Sequence, residues 1–155
     1  MQRVNIHEDE YDRDDDDPEG YAGAAIHITK RLGAEALAVK SFLIPPGQAL
    51  CPYHYEFEEE WLMVLEGSVL VRTPSGEHQL GRGDVVAFPA GPEGAHKVSN
   101  QAEVDARLVM FSSAREPSVA VYPDSDKIGV WPGNEADKLM VRRKDGAIDY
   151  WDGEV

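Results

Sequence analysis

Apolar residues in this chain come in short runs that end at glycine or proline, and no stretch sustains a 3.6-residue period. From Ala36 to Ile44 the β-branched and aromatic content rises, and Pro45-Pro46-Gly47 stops the run, which predicts a strand. Glu60 to Leu65 and Ser68 to Arg72 are two more apolar runs separated only by Glu66-Gly67, the signature of a tight hairpin. After the turn Thr73 to Glu77 come Gln79-Leu80, the turn Gly81 to Asp84, a strand over Val85 to Phe88, a loop from Pro89 to Gly94, and strands over His96 to Asn100 and Arg107 to Ser112. Tyr21 to Ile28 reads as an edge strand or lead-in segment, followed by a turn over Lys30 to Gly33. In the tail, Val119 to Tyr122, Leu139 to Arg143 and Ala147 to Trp151 are strand-like pieces between longer polar loops. Short strands at intervals of roughly ten residues with turn residues between them predict an all-β sandwich or barrel with little helix.

Composition narrows the class. With 155 residues, 42% of them hydrophobic, the chain has the size and the apolar content for one ordinary domain, expected over residues 21–155 with a C-terminal extension from about 119. The single cysteine, Cys51, has no partner for an internal disulfide, and it reads best as a small hydrophobe. No window is long and apolar enough for a membrane span, and the N-terminus lacks the features of a signal peptide, so a cytoplasmic protein is expected.

The formal charge of -14 argues against nucleic acid and anionic membranes as partners. Part of the excess sits in residues 1–20, where Asp14 to Asp17 are consecutive. A calcium loop starting at Asp12 would need glycine at its sixth position and glutamate at its twelfth, where Asp17 and Gly23 stand. A solvated, poorly ordered acidic arm is the expectation instead.

Two glycine-bounded segments carry candidate chemistry. In the first, Gly47 to Gly67, side-chain alternation would put His54, Glu56, Glu58 and Glu60 on one face if the extended backbone is unbroken, and Leu62 and Val64 continue that face. Apolar residues fill the interior of a small barrel, so this pattern points the charged groups inward. Partnerless buried carboxylates and imidazoles are costly, and a bound cation would hold several together. In the second segment, Gly83 to Asn100, a strand ends in a proline-rich loop that returns at His96. A mixture of imidazole and carboxylate donors suits a borderline or hard divalent ion.

These segments resemble the paired motifs of the cupin superfamily: a glycine, a His-x-His pair, then glutamate and glycine, and later Gly-x5-Pro-x-Gly before histidine and asparagine. Glu60 and Gly67 keep the six-residue interval, Gly83, Pro89 and Gly91 keep theirs, and His96 to Asn100 keeps its spacing. The chain departs from the pattern in two loop lengths, one residue more between Gly47 and His54 and two more between Gly91 and His96. It also departs at Glu56, which occupies the place of the second histidine.

The resemblance implies a small antiparallel double-stranded β-helix, a jelly-roll barrel, with His54, Glu60 and His96 on metal-ligand positions. Glu56 falls on a fourth and is a ligand, a partner bridged through water or a base. The implied cofactor is a divalent ion, Fe, Mn, Zn or Ni. The implied activity is chemistry of a dioxygenase, isomerase or decarboxylase type on a small organic molecule inside the barrel, with no catalytic residue singled out. The alternative is a noncatalytic small-molecule-binding module whose metal is structural or absent. Glu58 and Glu59 read as a solvated rim, and His7, His27 and His78 as surface residues. Similar small cupins pair, and Val130, Trp131, Tyr150 and Trp151 exceed what one barrel covers, so a homodimer is expected.

Overall fold

A computed structural model describes residues 1–154. The chain runs through β1 (Ala24–His27), α1 (Ile28–Leu32), β2 (Leu37–Ile44), β3 (Tyr55–Glu56), β4 (Glu60–Glu66), β5 (Ser68–Thr73) and β6 (Gly76–Gly81). It continues through β7 (Val85–Phe88), β8 (Lys97–Ser99), β9 (Ala106–Ser113), β10 (Ser118–Tyr122), β11 (Lys127–Trp131), β12 (Leu139–Arg142) and α2 (Arg143–Gly146). All strand pairs are antiparallel.

One wall is a five-stranded sheet in the order β1-β2-β9-β4-β7. The other is made of the three-stranded sheet β6-β5-β8 and the four-stranded sheet β12-β11-β10-β3. An isolated pairing of His54 with His96 joins these two smaller sheets. The walls enclose a core of Ile44, Leu62, Val64, Val69, Val71, Phe88, Val98, Ala106, Leu108 and Met110. In β4 the alternation is visible residue by residue: Leu62 and Val64 are buried while Trp61 and Met63 face outward.

The β4–β5 hairpin turns at Gly67, which has φ +70°. A Cβ there would lie 2.7 Å from the Asp105 carbonyl oxygen, so both conformation and space require glycine. Asn100 is fully buried, and its side-chain amide donates to the carbonyls of Ile44 and Val104, at 2.8 Å each, while its carbonyl accepts from Ala102 N. This motif asparagine ties the β8–β9 loop to β2.

Three local expectations are corrected. Lys30 to Gly33 is the end of a short helix, closed by Gly33 in a left-handed conformation, rather than a simple turn. Ala147 to Trp151 is irregular chain that enters a turn at Tyr150 instead of a strand, since β12 already completes the sheet edge and Ile148, Tyr150 and Trp151 stand exposed. A strand not expected from the sequence, β11, lies between β10 and β12; Gly129 at its centre, which a strand pattern disfavours, leaves room for the Trp131 and Met140 side chains.

The acidic arm lies against the five-stranded wall. Asp12 pairs with Ala25 of β1, the Tyr11 hydroxyl is 2.7 Å from the buried Ser41 hydroxyl, and Arg107 donates to the Ile6 carbonyl.

Candidate metal centre

His54 and His96 enter from opposite sides of the seam between the two smaller sheets. Each backbone N–H donates to the other's carbonyl, at 3.1 Å from His54 and 2.8 Å from His96, so the two rings project side by side with centroids 4.8 Å apart. The loop before His96 is tight: a Cβ at Gly94 would overlap the Pro89 carbonyl, so glycine is required for the chain to return to the barrel. Glu60 opens β4 and points the same way as Leu62 and Val64.

Each imidazole is held by its Nδ1. His54 Nδ1 lies 3.0 Å from the Pro52 carbonyl and His96 Nδ1 2.9 Å from the Gly94 carbonyl. A carbonyl oxygen can only accept, so both Nδ1 atoms carry the proton and both Nε2 lone pairs face the site. Glu60 Oε2 is 3.6 Å from His96 Nε2 and 3.9 Å from His54 Nε2. Glu60 Oε2 and His96 Nε2 are buried and have no hydrogen-bond partner.

Burial, reinforced by the Glu56 carboxylate, pushes the Glu60 carboxyl up to about 8, against the pull of Lys40. Burial lowers His96 to about 4 and also lowers His54. Without a cation the site would therefore hold neutral imidazoles beside a protonated carboxyl.

One ligand atom from each of His54, Glu60 and His96 lies within 4.8 Å of the others. Donors around one ion at about 2.1 Å stand about 3–4 Å apart, which the Glu60 spacings to both histidines match. The orphaned Oε2 and Nε2, the fixed tautomers and the mixed N/O donor set fit a divalent ion, and this group could hold one.

Glu56 is positioned differently. The extended chain breaks between β3 and β4, so His54, Glu56, Glu58 and Glu60 do not form one unbroken face. Glu56 belongs to β3, paired with Ala120 of β10, and lines a cavity of about 500 Å³ together with Glu58 and Glu60. Burial raises its carboxyl above the ordinary range, with Lys40 opposing. Glu58 also lines this cavity and accepts a hydrogen bond from Ser113, so it is more than a solvated rim. His7, His27 and His78 are exposed, as expected.

Several neighbours of the site carry no local sequence signal. Phe88 stacks on His96 at 3.7 Å between centroids and 10° between planes. Tyr122, from the tail, stacks on His54 at 5.7 Å. Cys51 Sγ is 3.6 Å from His54 Nδ1, and burial pushes its thiol up to about 12, so it is an inert neighbour rather than a thiolate. Lys40 lines the cavity. Its place was readable from the period-two series Ala38, Lys40, Phe42, Ile44, in which one charge interrupts an inward-facing row.

Comparison with known proteins bears on the fold that carries this group. Residues 41–112 match the family model of the Cupin domain. The chain covers 82–98% of the length of two structures described as sugar phosphate isomerases. One, from Silicibacter pomeroyi and of the cupin superfamily, superimposes with a TM-score of 0.80 at 22% identity over 97% of this chain and 98% of that one. The other, from Acidithiobacillus ferrooxidans and described as putative, gives 0.75 at 22% identity over 84% and 82%. The polyketide cyclase RemF of Streptomyces resistomycificus gives 0.63 at 20% identity over 76% and 83%. In sequence, the tetracenomycin polyketide synthase protein TcmJ of Streptomyces glaucescens is 25% identical over 99 residues, 64% of this chain and 65% of that protein's length. The barrel thus has the cupin jelly-roll fold, and residues 41–112 match the Cupin domain. Among the described residues, no helix is long and apolar enough to cross a membrane.

Proposed function

We propose that this protein is a divalent-metal-dependent enzyme that acts on a small organic molecule in the cavity above Glu60. The observation that carries the reading is the orphaned pair of buried atoms, Glu60 Oε2 and His96 Nε2, facing each other beneath an open cavity. Leaving both unsatisfied is expensive in a native fold, and a cation removes the cost for both at once.

His54, Glu60 and His96 would hold the ion, and Fe, Mn, Zn and Ni all suit their donor set. Bound there, a divalent ion supplies Lewis acidity toward a carbonyl or hydroxyl oxygen of the substrate. The chain's own residues do the rest. The Pro52 and Gly94 carbonyls keep both imidazoles in the metal-binding tautomer. Phe88 and Tyr122 cover the ring faces and keep water from them. Glu56 lies within the same cavity, with a carboxyl raised above its ordinary range by burial, and either joins the ligands or carries a proton to and from the substrate.

The RemF and TcmJ likenesses and the sugar phosphate isomerase structures make cyclisation or isomerisation the first chemistries to test. We take the protein to be cytoplasmic and to work as a homodimer, using the exposed Trp61, Met63 and Val85 on the outer sheet face and Tyr150 and Trp151 in the tail. Light scattering giving one subunit's mass at all concentrations would count the dimer out. To test the catalytic reading, protein purified without chelator would be loaded separately with each ion and screened against small hydroxy and carbonyl compounds. Turnover that requires the ion and is lost with Glu60→Gln is expected. Ligand binding without conversion would make the protein a binding module instead.

A further inference from the structure

Among the residues facing the cavity, Lys40 has no role in the metal centre. It lies on β2 in the inward row that continues to Phe42 and Ile44, both packed in or against the core. Its register partners are His27 on β1 and Met110 on β9, and Met110 pairs with Leu62 of β4, so on the cavity side of this row Lys40 stands beside apolar neighbours. The next row toward the mouth runs from Ala38 through Ser112 to Glu60. Lys40 therefore stands two strands across and two residues along from Glu60, about 10 Å by about 7 Å between Cα atoms, with the lysine stem closing part of that span.

Five glutamates line the cavity, Glu56, Glu58, Glu60, Glu116 and Glu135, yet among the described residues Lys40 makes no ion pair within 4.0 Å. Glu58 is hydrogen-bonded by Ser113, Glu60 is turned to the histidines, and Glu135 at the rim is paired with Lys138 at 3.5 Å. The remaining cation of the rim, Arg115, is on the exposed loop after β9. An exposed ammonium without an ion-pair partner in the same cavity as Glu60, in a protein of net charge -14, is matched to an anion that enters from outside.

We infer that Lys40 binds the carboxylate of the substrate: the cavity takes a small monoanionic organic acid, its carboxylate on the Lys40 ammonium and an oxygen several bonds away at the His54, Glu60 and His96 group. This rests on the metal-site reading above. A monoanion fits better than a phosphate ester because Glu56 and Glu58 would repel a second negative charge, and because a lone lysine offers a point charge without the converging backbone N–H groups of a phosphate cradle. Lys40 is in this account a binding residue that fixes which end of the acid reaches the metal.

The test is calorimetric titration of the full chain, metal-free and loaded with Mn²⁺, using 3-hydroxybenzoate, 3-hydroxybenzamide and 3-hydroxyphenyl phosphate, and 4-hydroxybutanoate with its amide. Wild type should bind at least one acid about tenfold more tightly than its amide, as one charge-assisted hydrogen bond provides. Lys40→Met should bring that ratio to about one without changing amide binding, and Lys40→Arg should keep it. Elemental analysis should find unchanged metal in both variants. Thermal unfolding checks the fold of Lys40→Met, with Lys40→Gln as the substitute if it is impaired. Equal binding of acids and amides by wild type, an unchanged ratio in Lys40→Met, or tighter binding of the phosphate would overturn the assignment. If Mn²⁺ fails to bind, the metal reading falls by itself, and the acid-to-amide ratio of the metal-free protein still decides the role of Lys40.

Discussion

His54 and His96 face each other across the seam of the smaller wall, exchanging both backbone hydrogen bonds while their rings lie 4.8 Å apart. The same pairing that joins the three-stranded sheet to the four-stranded one thus aligns the two nitrogen donors. Fold and site share one contact, and the loop carbonyls of Pro52 and Gly94 complete the orientation of the rings.

Metal uptake should be linked to protons. Glu60 is raised from an ordinary 4.5 to about 8, so an ion must displace its proton below that pH. His96, lowered to about 4, is already neutral there and does not compete. Affinity measured by competition with a chelator should rise about tenfold per pH unit between pH 6 and 8 and then level off. The metal-free protein should behave oppositely. A carboxyl raised on folding favours the folded state fully below its ordinary value, and that contribution is lost as pH rises through about 8. Its melting temperature should fall from pH 6.5 to 9, and added Mn²⁺ should reverse the fall. A flat affinity from pH 6 to 8 would mean that Glu60 is not a ligand.

Glu56 separates this chain from the common His-x-His pattern. As a ligand or a partner through water, it should matter most for hard ions, so Glu56→Gln should weaken Mn²⁺ more than Zn²⁺ or Ni²⁺. Glu56→His should shift preference toward Zn²⁺ and Ni²⁺. Identical titrations of wild type and Glu56→Gln for every ion would leave Glu56 with proton transfer alone.

The acidic arm offers a test of how local stability is distributed. Tyr11→Phe removes the partner of the buried Ser41 hydroxyl, which keeps only a longer 3.3 Å contact to the Leu108 carbonyl. Urea unfolding should show a loss of about 1 kcal/mol. Deletion through Glu19, which also removes the Asp12–Ala25 pairing, should lower the midpoint further and leave metal content unchanged, because the arm packs on the outside of the wall. Loss of metal on deletion would show that the arm supports the site.

Much of this was legible in the sequence because the signals were local. Strand β7 has the bounds expected from its flanking turn and proline, and β4 and β5 differ from expectation only at their ends, since Gly67 fixes the hairpin between them. Glu60 was readable from alternation because Leu62 and Val64 continue its face. The contributions of distant segments were not readable. Tyr122 reaches His54 only because β10 pairs with β3, and Phe88 reaches His96 because β7 and the Pro89 to Gly94 loop fold back together. Glu56 was misaligned with Glu60 in the simple period-two picture because the chain bends between β3 and β4, a break that no glycine or proline marks.

The central claim is that His54, Glu60 and His96 together hold a divalent ion, and elemental analysis tests it most directly. Wild-type protein, purified without chelator or nickel resin and dialysed against each ion in turn, should retain one Fe, Mn, Zn or Ni per chain. His96→Ala, which removes the donor of the second motif, should retain none while still folding as judged by circular dichroism. Wild type that retains no ion, or His96→Ala that retains as much as wild type, would contradict the account.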